Sequence, residues 1–207
     1  MKAKVRWVVE KIVGPLTKEN AVQWGQSVAV ALVLALTIRH FLFEPFKIPS
    51  GSMIPTLQIG DKILVNKFIL GVRIPFTYKR FFIPRKPIRG DVVVFRSPTG
   101  ERKDLVKRVV GLPGERIKID DDGRILVNGE PVTNHPFIAE NKYYNQREFG
   151  EYGTTSEATV PEDSYFVLGD NSRHSRDSRN WGFLPLSHIK GRVVCVWWPF
   201  WKARRVI

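Results

Sequence analysis

Cysteine is almost missing from this chain. Only Cys195 is present, so no disulfide can form within the molecule. Its place in the apolar run Val193-Val194-Cys195-Val196 reads as buried strand filler rather than a reactive thiol. Histidine is scarce too: the four, at positions 40, 135, 174 and 188, have no metal-ligand spacing, so neither a metal nor another cofactor is expected. Acidic side chains are outnumbered, 20 against 33 basic ones, and the formal net charge is +13. Such a balance points to anionic partners, either nucleic acid or an acidic lipid surface. Long apolar runs are equally few, because residues 21–43 hold the only one. At 207 residues the chain has room for one sizeable folded domain and a short appendage.

That single run is the first positive feature. A helix over residues 21–43 would be about 34 Å long at ~1.5 Å per residue, enough for a hydrocarbon core of about 30 Å. A cleavable secretory signal is the rival reading. Against it, the run continues into Phe41-Leu42-Phe43 with no small-residue cleavage site at its end, and Ala29-Val30-Ala31 lies too early. We read an uncleaved anchor. Residues 1–20 carry five basic side chains against two acidic ones, a balance of +3, which places the N-terminus in the cytoplasm and everything after Phe43 outside. Residues 4–17 have a partly amphipathic pattern suited to a helix lying on the inner membrane surface. The expected organisation is therefore a basic cytoplasmic segment at 1–20, a transmembrane anchor at 21–43 and an exported domain at 44–207.

After Phe43 the pattern changes to short strands. Residues 62–68, 91–95, 124–127 and 191–198 have β-branched and aromatic character, and Asp122-Gly123 and Asn128-Gly129 are pairs that tight hairpins prefer. No later segment keeps a 3.6-residue period, so the domain is expected to be all-β and mainly antiparallel. Residues 73–86 mix aromatic with basic side chains, and the mixture returns at Trp197, Trp198, Phe200, Trp201, Lys202, Arg204 and Arg205. Single-stranded nucleic acid or an anionic bilayer would suit such a surface. The apolar run at 21–43 favours lipid, and no nucleic-acid partner is expected.

Chemistry first shows at Pro49-Ser50-Gly51-Ser52-Met53-Ile54-Pro55-Thr56-Leu57, where two serines sit one residue apart on a turn bounded by proline and glycine. A constrained hydroxyl suits acyl transfer, although by itself the stretch also reads as an ordinary turn. A serine nucleophile needs a base. His174 and His188 are available, yet neither comes with an acid in a recognised triad order. Lysine serves only if it is neutral, and a model lysine near pKa 10.4 is about one part in a few thousand neutral at pH 7. Desolvation lowers that pKa, so the base should sit in an apolar strand. Lys107, in Leu105-Val106-Lys107-Arg108-Val109-Val110, fits: Leu105 and Val109 share its face, while Val106, Arg108 and Val110 take the other. A plain strand-end charge is the alternative there.

Three blocks together resemble a known family, the type I signal (leader) peptidases. The first runs from Glu44-Pro45-Phe46 through the Pro49–Leu57 turn to Gly60-Asp61. The second is Gly90 to Phe95 followed by Lys107 to Gly114. The third is Gly169-Asp170-Asn171, then Ser175, Asp177-Ser178-Arg179 and Trp181-Gly182. The resemblance implies a membrane-bound Ser/Lys endopeptidase that removes signal peptides from exported preproteins after small residues. It implies Ser52 as nucleophile and Lys107 as general base, with the Ser50 hydroxyl and Ser52 N–H as oxyanion hole. Ser175 would orient the lysine, and Asp177, Arg179 and Arg108 would brace the site. Phe46, Ile48, Met53, Leu57, Ile63 and Val106 match the substrate-pocket walls. The expected location is a bacterial-type cell membrane, single-pass, with preprotein signal peptides and anionic lipid as partners. Only one anchor is evident, the cysteine pair of some relatives is missing, and residues 115–165 look like a variable insertion without identifiable chemistry. The competing readings are a Ser/Lys protease that cleaves itself or one partner, and a non-catalytic basic module.

Overall fold

The computed structural model describes residues 18–73, 80–81, 84–144, 151–154 and 156–206. The amphipathic pattern at 4–17 and most of the aromatic-basic loop at 73–86 lie outside them. The described residues divide between Leu42 and Phe43 into two compact units.

The first unit is the helix α1 (Lys18–Phe41). Its stretch Asn20–Ile38 is long and apolar enough to cross a membrane. Val22, Val28, Val30, Leu32, Val33, Leu34, Leu36 and Ile38 are all exposed. An apolar helix with no face buried in protein has the surface that lipid requires.

The second unit is β-rich. Its strands are β1 (Phe43–Lys47), β2 (Lys62–Asn66), β3 (Val72–Arg73), β4 (Arg80–Phe81), β5 (Val92–Arg96), β6 (Asp104–Gly111) and β7 (Arg116–Ile119), then β8 (Ile125–Val127), β9 (Glu130–Pro131), β10 (Ala158–Thr159), β11 (Ser164–Leu168), β12 (Leu184–Pro185), β13 (Ile189–Trp198) and β14 (Arg204–Arg205). The main sheet has eight strands in the order β1-β2-β13-β5-β6-β11-β12, with β14 also on β13. A second sheet runs β10-β7-β8-β9, and β3 pairs with β4. Every pairing of named strands is antiparallel. The expected fold class, a mainly antiparallel β domain after one apolar helix, is what the chain adopts. Pro45 sits on β1, an edge strand, where its missing N–H costs no central ladder bond.

Burial explains the strand choice. The run Val92-Val93-Val94-Phe95 is buried on both faces, since Val92 and Val94 join one apolar cluster while Val93 and Phe95 join another. The first cluster also holds Ile48, Met53, Leu57, Ile63, Val65, Val193, Val196 and Val206. A third cluster, with Ile117, Ile119, Ile125, Phe166 and Leu168, joins the small sheet to β11. Fully burying one such side chain is worth about 1.5–3 kcal/mol.

Two details depart from the pattern read in the sequence. Asn128 and Gly129 do form the tight β8–β9 turn, both at positive φ, 54° and 89°. Asp122-Gly123 instead belongs to a longer loop. The Asp120 carboxylate accepts from the Arg124 backbone N–H and guanidinium at 2.8 Å each and closes the loop around them. Among the described residues, two short α-helices also interrupt the β domain, α2 (Pro136–Glu140) and α3 (Ser178–Trp181). They are too brief for a period to register. Pro136 opens α2, and Asp177 caps α3 by accepting from the Arg179 N–H.

Candidate active site

After β1 the chain makes an excursion and returns to β2. Its ends are pinned where Ile48 N–H donates to Asp61 O and Gly60 N–H donates to Ile48 O, both at 2.9 Å. Gly60, at φ 90°, supplies a conformation that side chains resist. Within the excursion Leu57 N–H donates to Met53 O at 2.8 Å, and Met53 and Leu57 plug into the first apolar cluster. These plugs hold the intervening turn rigid, with Ser52 half-buried and Ser50 exposed.

Lys107 reaches this turn from β6. Its Nζ donates to Ser52 Oγ at 2.8 Å and to Val106 O at 2.9 Å. The side chain is only 3% exposed. Burial is the main cause that lowers its pKa from 10.5 to about 8, partly offset by the carboxylates of Asp177 and Asp170. Arg108, on the opposite face of β6 by alternation, reaches the same turn further along. Its guanidinium donates to Thr56 Oγ1 at 3.2 Å and to Gly90 O at 2.8 Å.

The cations are balanced from the chain after β11. Arg108 makes a two-pronged bond to Asp170, 2.9 Å on each arm, with both side chains fully buried. The Phe137 ring lies 4.4 Å from the same guanidinium. Arg179 grips Asp177 through two arms of 2.9 Å. It also donates to Ser172 Oγ, Ser172 O and Tyr144 O at 2.9, 2.7 and 3.0 Å. The second Asp177 oxygen accepts the Gly169 N–H at 3.0 Å. Gly169 therefore sits where Ser52 and Ser175 converge: a Cβ there would lie 2.1 Å from Ser175 Oγ and 2.6 Å from Ser52 O. Ser175 Oγ is buried and has no hydrogen-bond partner among the described residues. Asn171 closes the group, its N–H donating to Ser52 O at 3.0 Å and its Nδ2 to Gly51 O at 3.1 Å.

The candidate residues thus assemble from three distant stretches. Ser52, Lys107, Arg108, Ser175, Asp177 and Arg179 lie around one focus, with Ser50 beside it in sequence. Ile48, Met53, Leu57 and Ile63 belong to the first apolar cluster, and Phe46 and Val106 pack against it. Sequence reasoning assigned no task to Asp170, Asn171, Ser172 or Thr56, although Asp170 and Asn171 belong to the third block and Thr56 to the first. It also found nothing in 115–165. There Phe137 covers Arg108, Asn141 Nδ2 donates to Asp170 O at 3.0 Å and Tyr144 O receives Arg179. His135 lies against Gly90, where burial and then Arg108 hold its pKa below the ordinary histidine value. Nothing in the local pattern marks these residues, because their partners lie far along the chain.

A serine hydroxyl against a buried amine, braced by two buried ion pairs, is suited to acyl transfer. The family described as Signal peptidase, peptidase S26 matches residues 21–198. The chain belongs to that family. Membership makes it a signal peptidase, a hydrolase. It is 38% identical to signal peptidase I of Pseudomonas fluorescens, over 93% of this chain and 77% of that one. With signal peptidase I T of Bacillus subtilis the identity is 35%, covering 88% of each. Among solved structures, a signal peptidase I from Enterococcus faecalis V583 shares 33% identity and a TM-score of 0.41, covering 52% of this chain and 97% of that one.

Proposed function

We propose that the protein is a membrane-anchored serine endopeptidase that removes N-terminal signal peptides from exported preproteins, with Ser52 as nucleophile and Lys107 as general base. One observation carries the reading: Lys107 Nζ lies 2.8 Å from Ser52 Oγ, on a lysine that burial holds near pKa 8. About one such lysine in ten is neutral at pH 7, hundreds of times more than for a free side chain. In that form the contact reverses, and the Ser52 O–H donates to the amine lone pair.

The proton moves to Lys107 as Ser52 Oγ attacks the scissile carbonyl carbon. The carbonyl oxygen becomes an oxyanion held by Ser52 N–H and the Ser50 hydroxyl. Lys107, now an ammonium, has three N–H bonds to place; Val106 O takes one, and Ser175 Oγ, which has no hydrogen bond among the described residues, is the acceptor held in reserve. Collapse of the adduct breaks the C–N bond, and Lys107 returns the proton to the leaving amine. Water then attacks the ester with Lys107 again as base, releasing the signal peptide's carboxylate and restoring Ser52. Arg108 with Asp170 and Arg179 with Asp177 brace the turn without reacting.

Phe46, Ile48, Met53, Leu57, Ile63 and Val106 form the apolar walls against which a small residue fits and a large one does not; one methylene is worth about 1–3 kcal/mol in such a pocket. The substrate adds along the edge strand β1, main chain to main chain. The helix α1 anchors the enzyme in a single pass, with residues 1–20 cytoplasmic and the β domain, 44–207, on the outer side. Trp198, Phe200 and Trp201, all exposed, stand beside the basic side chains of Lys202, Arg204 and Arg205 and suit an anionic lipid surface.

The test is cleavage of a preprotein carrying an Ala-x-Ala site by detergent-solubilised protein. Wild type cuts after the second alanine, and Ser52→Ala and Lys107→Met are silent. Cleavage that survives either substitution refutes the dyad.

A further inference from the structure

The oxyanion donor Ser52 N–H belongs to the Gly51–Ser52 peptide unit. A trans peptide is planar, so its N–H and C=O point in opposite directions. Whatever fixes the Gly51 carbonyl therefore aims the Ser52 N–H. That carbonyl accepts from Asn171 Nδ2 at 3.1 Å and from Ile54 N–H at 3.2 Å. On the following unit, Ser52 O accepts the Asn171 backbone N–H at 3.0 Å. One residue, 120 positions from Gly51 in sequence, thus clamps the peptide units on both sides of the nucleophile's Cα. The Ser52 N–H itself has no acceptor among the described residues.

The clamp has its own support. His174 Nδ1 lies 3.3 Å from Asn171 Oδ1, and His174 N–H donates to Asn171 O at 3.0 Å. Since the Asn171 amide nitrogen is committed to Gly51 O, its oxygen faces the ring and can only accept. The network therefore assigns the hydrogen to His174 Nδ1. On the other side, Asn141 Nδ2 donates to Asp170 O, the peptide oxygen immediately before Asn171. Donation into Gly51 O also polarises that amide, and hydrogen bonds chained through one peptide strengthen each other.

We propose that Asn171, oriented by His174, is the positioning residue of the oxyanion hole: it aims and polarises the Ser52 N–H and touches neither substrate nor Lys107. The proposal rests on the Ser52/Lys107 reading. An oxyanion donor is worth about 10²–10³ in turnover, so misaiming one should cost about 10–100-fold. Asn171→Asp is near-isosteric and replaces the amide donor with an oxygen that repels Gly51 O.

The experiment uses the full chain in detergent with the Ala-x-Ala preprotein, together with a peptide aldehyde ending in the same small residue. The aldehyde carbon accepts Ser52 Oγ while the serine proton passes to Lys107, which gives a stable tetrahedral adduct. Asn171→Asp should lower kcat about 10–100-fold and raise the aldehyde Ki by a similar factor. KM should stay within about twofold, and the pH limb set by Lys107 should stay in place. His174→Ala should move kcat and Ki together by about threefold, and it decides the matter if Asn171→Asp does not fold. An unchanged kcat, or a kcat loss with an unchanged Ki, overturns the proposal. Ser52→Ala and Lys107→Met run in parallel: activity in either refutes the dyad itself, while silence in both with a fully active Asn171→Asp refutes only the positioning role.

Discussion

Burying Lys107 costs stability, and the cost has a pH signature. Lowering its pKa from 10.5 to about 8 corresponds to about 3 kcal/mol of penalty on the charged form in the folded state. The sign follows from linkage. Between pH 8 and 10.5 the unfolded chain binds a proton at this side chain that the folded chain does not, so folding stability rises with pH across that window. Below pH 8 the penalty is fully present; above 10.5 it has gone. Lys107→Met removes the titration and keeps most of the volume. It also removes two hydrogen bonds, to Ser52 Oγ and Val106 O, worth about 0.5–1.5 kcal/mol each at any pH. The absolute difference between the two proteins therefore depends on opposing contributions, whereas its change with pH does not. Unfolding of both, followed by denaturant titration in detergent at pH 7, 9 and 11, should show wild type gaining about 3 kcal/mol relative to Lys107→Met between the two extremes. Other groups titrate in both proteins and cancel. The same lysine should give wild-type kcat/KM a rising limb centred near pH 8. A stability difference flat in pH, or a limb at the ordinary lysine value, refutes the desolvated-base argument.

Three further outcomes are expected. Asp170→Ala leaves the Arg108 guanidinium buried without its carboxylate and should cost about 3–5 kcal/mol, measured by denaturant unfolding. Gly169→Ala drives a methyl into Ser175 Oγ and Ser52 O, so preprotein cleavage should fall at least about 100-fold while the chain remains folded by circular dichroism. Ser50→Ala should reduce kcat about 10²–10³-fold with little change in KM, measured by steady-state cleavage of the preprotein.

The strands and the apolar helix were legible in the sequence because they depend on local pattern. Val92 to Phe95 could hardly be anything but a strand, and Ser27 to Ile38 carries no charge at all. Taken by itself the Ser50–Ser52 turn read as an ordinary turn, because Met53 and Leu57, which seat it, enter a core built largely from later strands. Lys107 was singled out for apolar neighbours on its own face. The structure adds that its ammonium also rests on the carbonyl of Val106, a contact that alternation alone does not disclose. Asp177 and Arg179 stood out only through the motif they belong to, and nothing in the local pattern announced that both side chains are fully buried. The supports from Phe137, Asn141 and Tyr144 were invisible for a plain reason. Their partners lie 29 to 35 positions away, and single-sequence patterns carry no signal at that range.

Ser52 is made long before some of the residues that hold its turn. Arg204 donates to Thr56 O at 2.7 Å, Lys202 donates to Gln58 Oε1 at 2.7 Å, and Val206 packs in the same cluster as Met53 and Leu57. These contacts span 144 to 148 positions of sequence. During synthesis, Ser52 leaves the ribosome while the residues that hold the far side of its turn do not yet exist. A half-made molecule therefore carries the Ser52 turn and Lys107 before three of the contacts that seat the turn can form. The turn takes its full set of contacts only when the residues near 204 fold back onto it, so the geometry around Ser52 is completed late, after Lys107 and β6 are already made.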